Sequence, residues 1–146
     1  MERGAGSVCD ALTCYPRGMT EAATQRQLLA ILGPVAGLHV ERSNTGVAVD
    51  PRTGRHVRFG TPGAPDVRVT VAGLAVAIEC KSPTGRQSEA QRRWQAAHEA
   101  AGGVYLLCRD AVATAREVAR IAAEAGNRAV SDAILRRCEA TKKILH

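Results

Sequence analysis

Two short apolar runs that alternate at period two flank the dipeptide Ala72-Gly73: Val67-Arg68-Val69-Thr70-Val71 before it and Leu74-Ala75-Val76-Ala77-Ile78-Glu79-Cys80 after it. Period-two alternation marks a half-buried strand, and a two-residue connection containing glycine joins two such strands as a tight hairpin. That turn makes Val71 face Leu74, and counting outward sets Asp66 opposite Glu79. Val67, Val69, Val71, Leu74, Val76 and Ile78 then share an apolar face. Asp66 and Glu79 lie on the other face, with the small residues Thr70, Ala75 and Ala77 between them. A slip of one residue would bury both acids, so the alternation itself holds the register.

Directly opposed residues have Cβ atoms about 5 Å apart, and Lys81 follows Glu79 on the same face at roughly 6–7 Å along the strand. Two carboxylates this close repel unless one takes a proton or both share a cation. Hard oxygen donors suit Mg²⁺ or Mn²⁺, which polarise a phosphodiester and lower the pKa of bound water. Lys81 would orient that water and offset the charge that grows on phosphorus. The plainer alternative is a salt-bridged Glu79–Lys81 pair at an exposed strand end, with Asp66 starting a turn after Pro65. Glu-x-Lys alone is too short to reject it, but Pro65-Asp66, a hairpin, and Glu79-Cys80-Lys81 closing an apolar strand form a more specific set.

The rest of the chain reads as a frame for that hairpin. Its 146 residues suit one compact core. Residues 1–18, with Gly4, Gly6, Pro16 and Gly18, are expected to be a flexible arm. Thr20 caps a helix that ends near Gly33-Pro34. Leu38–Ser43, Gly46–Val49 and His56–Phe59 read as hairpin strands with polar turns, and Gly60–Pro65 as a rigid loop that delivers Asp66. A helix from Ser88 to about Ala101 puts Ala90, Trp94, Ala97 and Ala101 on one side and makes Trp94 a core residue. The strand Val104–Cys108 and helices near Ala111–Ala125 and Ala129–Ile144 complete an α/β fold, a central mixed sheet flanked by helices. Residues 19–110 form the expected core, and 111–146 the helices packed on it.

Composition narrows the partners. A net charge of +6 and a pI near 9.5 favour an anionic partner. Arg52, Arg55, His56 and Arg58 cluster on one expected hairpin, and Arg86, Arg92 and Arg93 flank the proposed centre, where they would bind phosphates without reading sequence. Five cysteines, with neither a CxxC pair nor a nearby histidine, do not suggest a zinc site. The absence of a leader-like apolar stretch, of a membrane span and of a nucleotide-binding loop points to a cytoplasmic protein without nucleotide cofactor or membrane partner. Ser88-x-x-Gln91 is a capping box, and Glu21 a first-turn acid that complements a helix dipole.

Gly63-Ala64-Pro65-Asp66, Ile78-Glu79-Cys80-Lys81, Gly85-Arg86-Gln87-Ser88-Glu89-Ala90-Gln91 and Ala101-Gly102-Gly103-Val104 together resemble the VRR-NUC branch of the PD-(D/E)xK nuclease superfamily. The likeness runs from about Thr20 to Arg109 and implies a restriction-endonuclease-like core. It further implies a metal, Mg²⁺ or Mn²⁺, held by Asp66, Glu79 and the backbone carbonyl of Cys80 with Glu21 beside it. Lys81 would organise the water and Gln91 complete the site, although capping and active-site roles compete for that one side chain. Asn44-Thr45-Gly46 and the stretch from Gly54-Arg55 to Phe59-Gly60 match the short phage or bacterial form, which brings Asn44 into the expected DNA contacts. The resemblance implies a homodimeric endonuclease acting on branched DNA such as Holliday junctions. The alternatives are a flap, nick or restriction-like duplex nuclease, or a DNA-binding protein that kept the fold without turnover.

Overall fold

The computed structural model describes residues 19–144; the arm expected at 1–18, with Cys9 and Cys14, lies outside the described residues. Along the chain run α1 (Glu21–Leu32), β1 (Leu38–Arg42), β2 (Gly46–Val49), β3 (His56–Phe59), β4 (Val67–Val71), β5 (Leu74–Cys80), α2 (Glu89–Ala100), β6 (Val104–Cys108), α3 (Ala111–Glu124) and α4 (Arg128–Ile144). Four strands form one sheet in the order β1-β4-β5-β6, antiparallel except for the parallel β5–β6 pair that α2 connects. The protein is therefore mixed α/β, with a mixed sheet flanked by helices.

The β4–β5 turn has Ala72 at φ 49° and Gly73 at φ 80°, two left-handed residues that match the twist of a tight hairpin. Val71 pairs with Leu74 and Val67 with Ile78. Val67, Val69, Val71, Val76 and Ile78 are each at most 2% exposed. They meet Leu28, Ile31 and Leu32 of α1 and Ala115 and Val118 of α3, and Ile134 and Cys138 of α4 close the same cluster. Full burial of each such aliphatic side chain contributes about 1.5–3 kcal/mol. Of the described helices, α2 lies on the other face. Its His98 Nε2 sits 3.2 Å from the Ala75 carbonyl and 3.1 Å from that of Val104, and Trp94 is tilted against Tyr105.

Helix ends are anchored by short polar side chains. Thr20 Oγ1 accepts from Ala23 N–H, Asp110 Oδ1 from Ala113 N–H and Asn127 Oδ1 from Val130 N–H. At the far end of α1, Arg137 donates to the carbonyls of Ala30 and Ile31, acceptors that a helix C-terminus leaves open.

Two sequence expectations are corrected. β1 is not part of a hairpin with β2. It pairs with β4, because its half-buried Leu38 and Val40 pack on the core, whereas β2 and β3 form a separate two-stranded sheet exposed along its whole length. On α2, Ala97 and Ala101 are exposed and no residue is fully buried; the inward side is Gln91, Trp94, Gln95 and His98, with Trp94 half-buried and stacked on His98. This helix meets the sheet through hydrogen bonds rather than through its alanines.

Candidate active site

At the C-terminal end of β5, Glu79 lies within the strand and Lys81 directly after it, both buried on the side away from the apolar face. The β4–β5 ladder ends at Val67 and Ile78, so Asp66 and Glu79 are the next pair outward. Instead of extending the ladder, Asp66 Oδ2 accepts the Cys80 N–H at 2.8 Å. Glu79, 3% exposed, has its Oε1 3.0 Å from Lys81 Nζ, and the Lys81 side chain is itself only 10% exposed. From α2, Gln91 Nε2 donates to the same Oε1 at 2.5 Å. From α1, Glu21 Oε1 accepts the Ser82 N–H at 3.1 Å. The starts of two helices, the entry to β4 and the exit of β5 thus converge on one spot.

Gln91 performs both tasks that had been set against each other. Its Oε1 accepts the Ser88 N–H at 2.8 Å to close the capping box, while its Nε2 reaches Glu79. An amide has an acceptor end and a donor end, and the two ends divide the work.

The electrostatics are unbalanced. Glu79 Oε1 receives both donors, whereas Oε2 is buried without a hydrogen-bond partner among the described residues. Burial pushes the Glu79 carboxyl above its ordinary range, the nearby Asp66 charge adds to this, Lys81 acts against it, and Glu21 raises it further. A salt bridge at an exposed strand end does not describe this pair, because both partners are buried. Among the described residues, no three His, Cys, Asp or Glu side chains are grouped so as to hold a metal by themselves. The donors present, two adjacent carboxylates with one orphaned oxygen, fit instead a hard cation that keeps several solvent or phosphate oxygens.

Residues outside the expected set of catalytic and metal-binding side chains hold this arrangement. Gly63, at φ 77°, lies so close to α2 that a Cβ there would stand 2.2 Å from the Ala90 carbonyl oxygen. The loop that delivers Asp66 is thereby pressed onto the helix that delivers Gln91. Arg109 Nη1 donates to Ser82 O at 2.5 Å and to Pro83 O at 3.3 Å, and its Nη2 to Gly85 O at 2.8 Å, clamping the loop that follows Lys81. Backbone acceptors leave no mark on the sequence, so nothing there announced Arg109. Cys80 lies in register with Cys108, and its thiol is pushed up first by their mutual hydrogen bond and then by burial, which leaves it a protonated, unreactive group. Burial also pushes the Tyr105 hydroxyl up to about 12.

The basic residues are more dispersed. Arg52, Arg55 and Arg58 lie on or beside the separate β2–β3 sheet, with Asn44 at its base. Arg86 and Arg92 stand on the loop and helix after β5, where Arg92 donates to the Gln87 carbonyl. Comparison of the chain with protein-family models, with curated proteins and with solved structures finds no match.

Proposed function

We propose that the chain is a divalent-metal-dependent endonuclease that hydrolyses DNA phosphodiesters at Asp66, Glu79 and Lys81, on a PD-(D/E)xK-type core. The observation that carries this reading is the buried Glu79 carboxylate, beside Asp66, with one oxygen crowded by donors and the other without any. A core that needed only packing would place an apolar residue there, since an unsatisfied buried charge is costly.

Asp66, Glu79 and the Cys80 carbonyl, with Glu21 nearby, would hold Mg²⁺ or Mn²⁺, which when bound supplies Lewis-acid polarisation of the phosphodiester and a lowered pKa for water. Asp66 is held in place by the Cys80 N–H, and Glu79 by Gln91 and Lys81. The Lys81 ammonium has donors to spare for a water or a phosphate oxygen. Its charge counters the negative charge that accumulates as the water oxygen bonds to phosphorus and the P–O3′ bond breaks. The water gives up a proton to solvent, the departing 3′ oxygen gains one, and a 5′-phosphate end remains.

The +6 charge and exposed arginines support an extended nucleic-acid partner. Branched DNA, cut by a symmetric dimer with two centres across a junction, is the preferred substrate in this proposal. The test is cleavage of a four-way junction, a flap and plain duplex by wild type and Lys81→Ala, in Mg²⁺, Mn²⁺ or EDTA. Metal-dependent cutting by wild type alone supports the reading. Equal cutting by both proteins places the chemistry elsewhere, and DNA binding without cutting leaves a binding protein.

A further inference from the structure

Beside Asp66, at the base of the β2–β3 hairpin, lies a cleft of about 550 Å³ whose lining includes Glu41, Arg42, Ser43, Asn44, Thr61 and Arg68. Two features set it apart from ordinary polar surface. Among the described residues, neither Arg42 nor Arg68 takes part in an ion pair, and the one acid on the wall, Glu41, lies 3.8 Å from His39 instead. In addition, Ser43 Oγ is buried with no hydrogen-bond partner among the described residues, which leaves a hydroxyl donor unused by them in the wall.

The position matters as much as the lining. Ser43 N–H donates to the Asp66 carbonyl at 2.9 Å, and Ala64 and Arg68, two residues either side of Asp66, also line the cleft. A strand of nucleic acid whose phosphodiester reached Asp66 and Glu79 would carry a neighbouring phosphate into this space. Two guanidinium groups outside any ion pair among the described residues, although Glu41 stands directly across the β1–β4 ladder from Arg68, join a spare hydroxyl and the Asn44 amide in suiting a phosphate's several acceptor oxygens.

We infer that this cleft is a second phosphate subsite, which grips the DNA backbone next to the phosphodiester cut at Asp66 and Glu79. The position of the cut rests on the nuclease reading; the grip does not, because backbone binding needs no turnover. Phosphate contacts of this kind fix where a strand lies without reading its bases.

The experiment measures binding of a short fluorescein-labelled DNA duplex by anisotropy in EDTA, in a Glu79→Gln background, across about 50–200 mM salt. Losing two phosphate contacts lowers the slope of log affinity against log salt by about 1.8, which makes the affinity lost over that salt range about twelve-fold smaller. The variant is Arg42→Gln with Arg68→Gln. The control removes the same charge far from the cleft, Arg128→Gln with Arg136→Gln on α4, and is expected to change the slope by less than half as much. Arg42→Lys with Arg68→Lys restores most of the slope, since it restores the charge. If the Gln pair melts early, Arg68→Gln alone, at an exposed strand position, carries the test with a slope change of about 0.9.

Equal slopes for the cleft pair and the α4 pair overturn the subsite, as does absence of DNA binding by the parent protein. Those results are separable from failure of the nuclease reading. A protein that never cuts but shows the slope difference keeps the subsite and loses the chemistry; one that cuts with Mg²⁺ but shows no difference does the reverse.

Discussion

Replacing Glu79 by Gln should stabilise the metal-free protein while it abolishes cutting. Three carboxylates, Glu21, Asp66 and Glu79, act on this spot against the single Lys81 ammonium, and the first two both disfavour the charged form of the third. Glu79 Oε2 has no donor, a deficit that costs about 1–3 kcal/mol for a buried acceptor. In Glu79→Gln the side-chain oxygen can still accept from Gln91, and an N–H₂ group takes the orphaned position beside the Asp66 carboxylate. The lost attraction to Lys81 is largely offset by the desolvation that a buried ion pair requires, and Asp66 and Glu21 remain to balance the ammonium. The expected net gain is about 1–2 kcal/mol, or roughly 3–8 °C in Tm for a domain of this length.

The pH dependence sharpens the test. A carboxyl whose folded pKa is raised binds its proton more tightly in the native state. The stability it contributes is fully present below the ordinary value of 4.5 and is lost as pH rises through the raised folded value. Thermal melts in EDTA should therefore show little difference between the two proteins below pH 4.5, and a difference that grows as pH rises through the raised folded value. Mg²⁺ should then raise the wild-type Tm more than that of the variant, since a ligand stabilises the state that binds it. A Glu79→Gln protein that melts several degrees below wild type in EDTA at high pH would refute this reasoning, because it would make the Glu79–Lys81 contact a net structural support.

Lys81→Ala should lower metal-dependent cutting by about 10²–10³-fold in single-turnover assays, the usual loss when one charge-stabilising donor is removed. Arg109→Ala should reduce cutting and speed hydrogen exchange of the Gly85 amide, whose turn bond to Ser82 O lies in the clamped loop; unchanged exchange would remove Arg109 from its positioning role. Arg137→Ala should cost about 1.5–3 kcal/mol in denaturant unfolding, because it strips two charged hydrogen bonds from the end of α1. Ala72→Asn should add about 0.5–1 kcal/mol, since asparagine tolerates the left-handed backbone that alanine is forced into at φ 49°.

The β4–β5 hairpin was legible because one apolar face fixes its register, and register alone sets Asp66 beside Glu79. The caps at Thr20 and Ser88 were legible because an N-cap is a local device. What stayed hidden depended on distant partners. The choice of β4 over β2 as the partner of β1 rests on core packing by Leu38 and Val40, and a run of alternating residues does not say which strand it will join. The inward face of α2 was misjudged because its alanines follow helical spacing as well as its polar residues do, and only the carbonyls of Ala75 and Val104 reveal that His98 points inward.

Gln91 shows how closely folding and chemistry are joined at this site. A residue with only the capping task could be exchanged for glutamate, which serves a capping box equally well. A glutamate there would bring a fourth carboxylate to this spot, against Glu79, where one carboxylate oxygen already has no donor among the described residues. The amide is the choice that caps the start of the helix correctly and also donates to a buried anion. The capping box therefore fixes more than the start of α2: through one side chain it ties the position of that helix to the orientation of the Glu79 carboxylate, so disorder at the cap would reach the candidate centre directly.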